Sequence, residues 1–239
     1  MAFKQFELEG IGPLKVYKRR GTRNIRLSVD HGGKVRVSIP TWLPYKTGLS
    51  YAMSKQGWLV AQLATHAQQL YANGQSVGKQ HVLYFEPTTN TVIRTSRKDE
   101  QIIIYYPDRL SITNDLVQAA AGKAAVKALR HEAQQHLPER LQDLANLHDF
   151  SFKSVSIRQL KSRWGSCDQD KNIKLNLYLM QLPWELIDYV LLHELVHTRI
   201  MQHGPVFWRA MAELQPETSL LRQQIRSYKT TILQQMPQV

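Results

Sequence analysis

The chain has 239 residues, 43% hydrophobic and 21% charged, long enough to bury a substantial core and too apolar for a disordered polymer. Its single cysteine, Cys167, excludes an intramolecular disulfide and a cysteine-built structural zinc site, and fits a reducing compartment. The formal net charge of +12 is uneven, with 16 Lys+Arg against 7 Asp+Glu in residues 1–110 and 15 against 12 in residues 111–239. A basic first part could attract nucleic acid, an anionic membrane surface or an acidic protein, and the competing reading is a solvated basic surface.

At the amino terminus, MAFKQFELEG carries acidic residues where a cleaved signal needs a continuous apolar segment, and no apolar run in the chain reaches the ~18–20 residues needed to cross a bilayer. The expectation is a cytoplasmic protein. Alternating segments at residues 14–18, 24–29 and 34–39, with the turn signal Asp30-His-Gly-Gly between the last two, predict an antiparallel meander. Pro40 and Pro44 close it, and residues 47–70 carry apolar residues at helical spacing, including Trp58, Leu59, Leu63 and Leu70. Short strands are expected at 81–85, 91–95 and 102–106. From about residue 114 to 147 the pattern becomes a long Ala/Leu/Gln/Arg-rich helix in which Pro138 should cause a kink or break. The composition shift places a boundary near residue 112, giving a β-rich basic part at 1–112 with a packed helix, and a second part at 113–239. Within the second part, a strand at 154–158 and a hairpin of 162–167 and 173–177 precede a helix opened by Pro183. The whole is an α+β chain without sequence repeat.

That last helix, residues 183–197, is apolar on nearly every side, as a buried helix is, yet it holds His193, Glu194 and His197. Ionisable groups placed there must be paired, neutralised or bound to a metal. Residues four apart share one helical face with Cβ atoms about 6 Å apart, so the two imidazoles can converge on one tetrahedral Zn2+ ion. Glu194 is rotated about 100° from His193 and lies beside such a metal rather than on it, placed to act as general base toward a metal-activated water. The competing reading is a pair of buried histidines bonded to backbone carbonyls, with Glu194 paired to Arg199 or a lysine. A third ligand is expected, and two candidates remain. His203 can reach the metal only if the helix ends before it, and Gln202-His203-Gly204-Pro205 suits such a break. Glu213, on the next helix at 205–214, is the rival.

Lys161-Ser-Arg-Trp-Gly-Ser-Cys167, Ile173-Lys-Leu-Asn176, the run Tyr189 to His197 and His203-Gly-Pro-Val-Phe-Trp208 together resemble the YgjP-like metallopeptidase family, related to WLM and SprT-like zincins. The likeness is most specific over residues 150–210. It implies a zincin-like metallopeptidase domain, built from an antiparallel hairpin and active-site helices and following the β-rich part. It further implies Zn2+ held by His193, His197 and His203, Glu194 as the catalytic residue, and a peptide or protein substrate. The glycine that metzincins carry between the second and third ligands is Ile200 here, so the helix break belongs at residues 201–204. In zincins an edge strand beside the active helix pairs with substrate backbone, which makes Arg163, Gly165 and Ser166 candidate substrate-binding residues. For Trp164 the competing role is packing under the metal helix, for Gly165 close backbone approach, and for Cys167 a small buried thiol. A second functional reading, a nucleic-acid-associated protein bound through its basic first part, has no recognised motif behind it.

Overall fold

A computed structural model of the chain describes residues 3–29, 35–65 and 70–228. Two compact units divide it, Met1–Gln69 and Leu70–Val239. The pattern change near residue 112 falls inside the second unit. There, Leu83, Phe85, Ile102 and Ile104 share one buried cluster with Val117, Ala121 and Ala125 from the following helix, so sheet and helix cannot be parted.

The first unit comprises β1 (Phe3–Leu8), β2 (Gly12–Arg19), β3 (Arg26–Val29), β4 (Val35–Pro40), α1 (Tyr45–Ser54) and α2 (Gln56–Thr65). The expected simple meander is corrected to the order β1-β2-β4-β3, with β2 and β4 parallel. The reason is burial: Val35, Val37 and Ile39 make β4 the strand with most to hide, so it takes an interior place, and the half-buried β3 is left at the edge. The Asp30-His-Gly-Gly turn lies outside the described residues. The single helix expected over 47–70 is two helices, broken at Lys55, whose backbone leaves the helical region at φ −112°, ψ 20°. Gly48 brings α1 onto the sheet, since a Cβ there would stand 2.6 Å from Val16 Cγ1. Leu59 is buried among the sheet residues, whereas Trp58 is exposed.

The second unit opens with β5 (Gln75–Ser76), β6 (Val82–Thr88), β7 (Arg94–Lys98) and β8 (Gln101–Pro107) in the order β5-β6-β8-β7. This repeats the first sheet's strand order, with β6 parallel to β8 and the other neighbours antiparallel. Helix α3 (Asp115–Leu147) follows, capped by the Asn114 side chain, which accepts from the Leu116 amide at 3.0 Å. Of the kink or break expected at Pro138, the break does not occur. A buried stripe of Ala133, Leu137, Leu141 and Leu144 continues across the proline, and residue 134, whose carbonyl loses its donor, is exposed to water. Burial of that stripe outweighs a local cost of about 3 kcal/mol.

Sheet β10-β11-β9 comes next, from β9 (Ser154–Arg158), β10 (Gly165–Cys167) and β11 (Asn172–Asn176), with β10 antiparallel and β9 parallel to β11. A 3₁₀ turn at Leu177–Gln181 leads to α4 (Trp184–His197), α5 (Pro205–Leu214) and α6 (Thr218–Ser227). Two buried polar residues hold these parts in place. Glu132 of α3, fully buried, accepts from the amides of Lys79, Gln80 and His81 and pairs with His81 Nδ1 at 2.6 Å. Burial alone would raise its pKa, but the His81 bond and those three amides outweigh this and hold it below the usual carboxylate value. Lys79 in turn donates to the Leu182 carbonyl, just before α4, and lies over the Trp184 ring. Asn176 donates to the carbonyls of Leu160 (2.9 Å) and Arg163 (2.8 Å), tying down the loop that enters β10.

Candidate metal centre

Helix α4 is buried around most of its circumference, with Leu186, Ile187, Leu191 and Leu195 at or near zero exposure. His193, Glu194 and His197 project from it as their spacing requires. The helix stops at His197. Thr198 caps it and turns its hydroxyl back to the Leu195 carbonyl at 2.7 Å. Residues 199–204 then run irregularly to Gly204, with α5 starting at Pro205. That turn swings His203 back over the end of α4. The helix thus ends earlier than the break expected at residues 201–204, and the irregular segment reaches through those residues to Gly204.

The result is a convergence of three imidazole nitrogens. His193 Nε2 and His197 Nε2 are 3.2 Å apart, His197 and His203 3.1 Å, and His203 and His193 2.9 Å. Tetrahedral Zn–N bonds of about 2.0–2.1 Å would place ligand nitrogens about 3.3 Å apart, so the cluster suits a small four-coordinate cation. His197 Nδ1 faces the Ile200 carbonyl at 3.1 Å. A proton on Nδ1 donates there and leaves the Nε2 lone pair pointing at the cluster, which is the tautomer a metal ligand needs. Burial, followed by the other two histidines and Arg222, pushes His193 down to about 3. His197 is also lowered, mainly by burial. Both are therefore neutral at physiological pH, as ligands must be.

His203, the exposed member, is held by rings. Trp208 stacks on it at 5.7 Å with 21° between planes, and the Arg222 guanidinium lies 3.9 Å over the Trp208 ring. Among the described residues, the grouping of possible ligand atoms comprises His193, His197 and His203, within 4.8 Å of one another. Glu213 is exposed on α5 and outside this group.

Glu194 is only 4% exposed, and its Oε2 has no hydrogen-bond partner. Burial raises its pKa to about 8, with Arg163 acting in the opposite sense. Arg199, the partner a purely structural reading would assign to it, instead donates to the Asp149 carbonyl and stacks over Phe150. The space for the carboxylate comes from Gly165, where a Cβ would stand 2.6 Å from Glu194 Oε1. The expected close approach at Gly165 is thus to the carboxylate.

A cleft of about 490 Å³ opens over these groups, walled by residues 163–167 on one side and by Tyr189, Trp208 and Arg222 on others. Strand β10 is the sheet edge here. The Trp164 carbonyl accepts from the Asn176 amide and the Asp168 amide donates to the Asn172 carbonyl, so even-numbered positions face β11. By alternation the peptide groups of Gly165 and Cys167 point away from it, while those of Ser166 point toward Lys174. Burial first, then Glu194 and Asp168, raise the Cys167 thiol to about 11, so it stays protonated. Tyr189 and Arg222 were not singled out from sequence. Tyr189 sits one helical turn before His193, a signal that spacing does carry, whereas nothing in the sequence brings Arg222 of α6 to this cleft.

A family model described as YgjP-like, metallopeptidase domain, matches residues 23–228. The chain belongs to the YgjP-like metallopeptidase family. As a member it is a metal-dependent peptidase, and the zincin-like α+β reading holds. Among solved structures it is similar to the metallopeptidase zymogen abylysin of Pyrococcus abyssi, at 24% identity and a TM-score of 0.35 over 38% of this chain and 91% of that one. It is also similar to the zymogen jannalysin of Methanocaldococcus jannaschii, at 22% identity and 0.34 over 38% and 93%. No curated protein matches. No helix among the described residues is long and apolar enough to cross a membrane.

Proposed function

We propose that this YgjP-like protein is a zinc peptidase in which His193, His197 and His203 hold the ion and Glu194 is the general base. The observation that carries the proposal is the carboxylate of Glu194, buried without a partner for Oε2 beside three converging Nε2 atoms. A buried, unpaired carboxylate is costly, and a structural protein gains nothing from it. A bound zinc ion would supply Lewis acidity at the floor of the cleft, and its positive charge would favour the ionised form of Glu194 that a base requires, against the burial that raises its pKa. Glu194 takes the proton of the attacking water at Oε2 and returns it to the departing amine, so one carboxylate serves both halves of the hydrolysis. The substrate runs along β10, where the outward peptide groups of Gly165 and Cys167 pair with its backbone and Arg163 flanks its entry. Such main-chain pairing recognises an extended peptide irrespective of most side chains.

The test is hydrolysis of a fluorescence-quenched peptide library by zinc-loaded protein. Cleavage that stops with a chelator, returns with zinc and is absent in Glu194→Gln supports the reading. Cleavage that persists in Glu194→Gln contradicts the role given to that residue.

A further inference from the structure

The first unit carries a surface that metal-dependent peptidase chemistry does not use. Residues 1–69 contain 11 Lys+Arg and only 3 Asp+Glu. Four of these cations lie on one face of one sheet. Leu14, Val16, Val35, Val37 and Ile39 are buried beneath the helices, so the alternate positions form the opposite face. The strand register aligns them: Gln5 with Lys15 and Phe3 with Tyr17 across β1–β2, Lys15 with Arg36 and Tyr17 with Ser38 across β2–β4, and Arg26 with Ser38 across β3–β4. Among the described residues, Lys15, Arg19, Arg26 and Arg36 therefore share the face, with Glu7 as the acidic residue on it.

Aromatic rings sit among these cations. Phe3 and Tyr17 lie 5.4 Å apart, centroid to centroid, and Lys15 Nζ stands 5.1 Å over the Phe3 ring. Phe3 is 47% exposed, a large apolar ring on the surface of a domain whose other sheet side already provides a core.

The second sheet supplies an internal comparison, because it repeats the strand order. Its corresponding face carries Arg94 and Lys98, but Glu86 stands on the same face, paired with Tyr105, which in turn pairs with Arg94. Strand topology alone therefore does not enforce a cationic face.

We propose that the open face of β1-β2-β4-β3 binds single-stranded nucleic acid. Phosphates would be met by Lys15, Arg19, Arg26 and Arg36, and a base would stack on the Phe3–Tyr17 pair. Charge complementarity selects a polyanion, and a ring pair on the sheet face, with Phe3 exposed and Tyr17 half-buried, selects one with unpaired aromatic faces. An acidic peptide would use the cations and leave the rings without a role, whereas an anionic membrane surface would also take up the Phe3 ring and is separated from nucleic acid by the vesicle arm of the test. Four strands about 4.8 Å apart make a face roughly 15 Å wide, room for about three nucleotides. The proposal is independent of the metal centre.

Fluorescence anisotropy with the zinc-loaded 239-residue chain and a labelled dT20 strand tests it. Three or four phosphate contacts on a single strand imply that affinity falls about 20- to 50-fold between 50 and 200 mM salt. Lys15→Glu with Arg36→Glu should weaken binding at least about tenfold, and Tyr17→Ala about five- to tenfold. Arg94→Glu with Lys98→Glu, the same charge change on the comparable face of the second sheet, should change it less than about twofold. Circular dichroism melts confirm that each variant folds, and Tyr17→Leu, which keeps the packing volume and loses the ring, provides a second reading where Tyr17→Ala does not fold. Several results would overturn the proposal: absence of binding at 50 mM salt, equal losses in the two charge-reversed pairs, or full binding by the Tyr17 variants. So would equal or tighter binding of duplex DNA, phosphatidylserine vesicles or a polyglutamate peptide.

Discussion

The two units differ most in what they bury. Among the described residues, the first unit's core is wholly apolar and its charges lie outside, whereas the second buries His81, Glu132, Asn176, Glu194, His197, Thr198 and Thr218. Those buried polar residues are themselves of two kinds. Glu132 and Asn176 have hydrogen bonds to both sides of the segments they hold, while Glu194 has an oxygen with no partner. A satisfied buried carboxylate supports a fold; an unsatisfied one beside three converging imidazole nitrogens is poised to act on something else.

Substitution of each carboxylate by its amide separates the two roles. For Glu194→Gln we expect peptide hydrolysis to fall by about three orders of magnitude, with thermal stability unchanged or slightly raised, since an unpaired buried carboxyl group is removed. For Glu132→Gln we expect the reverse: a loss of about 2–4 kcal/mol in denaturant unfolding, because one amide oxygen and an NH2 group cannot serve four donors. A smaller effect is expected at Gly165→Ala. Its Cβ would push the Glu194 carboxylate aside, and activity should drop about 10- to 100-fold with zinc content intact, as measured by kcat/KM and metal analysis. The mildest contrast is in pH. Glu132 has a lowered folded-state pKa, so its contribution to stability is present above the unfolded carboxylate value of about 4.3 and is lost as pH falls through the folded value. Unfolding midpoints measured between pH 7 and pH 3 should therefore fall more steeply in wild type than in Glu132→Gln. Equal slopes would remove Glu132 from the account of acid stability.

What could be read in advance follows the same division. The α4 segment was legible because polar groups at spacing four interrupt an otherwise apolar helix, and the start of α5 was legible because Pro205 follows a glycine. Strand β9 also fell where alternation placed it. Long-range choices were less visible. Nothing local to residues 14–39 says that β4 enters between β2 and β3, since that depends on the relative burial of whole strands. A break at Pro138 does not occur because its helix is held by a buried stripe whose partners are distant in sequence. Arg222 and the pocket that Gly165 leaves for Glu194 are tertiary facts, set by the packing of α6 and β10 against α4.

The central claim, that three histidines hold zinc while Glu194 does the proton transfer, is tested most directly by metal analysis alongside peptidase assay on purified protein. The proteins to compare are wild type, His193→Ala, His203→Ala, Glu213→Ala and Glu194→Gln. One zinc per chain is expected in wild type, Glu213→Ala and Glu194→Gln, with activity absent only in the last of these three and zinc lost in both histidine variants. Wild type without metal under zinc-replete conditions, or zinc retained by His203→Ala and lost by Glu213→Ala, would contradict it.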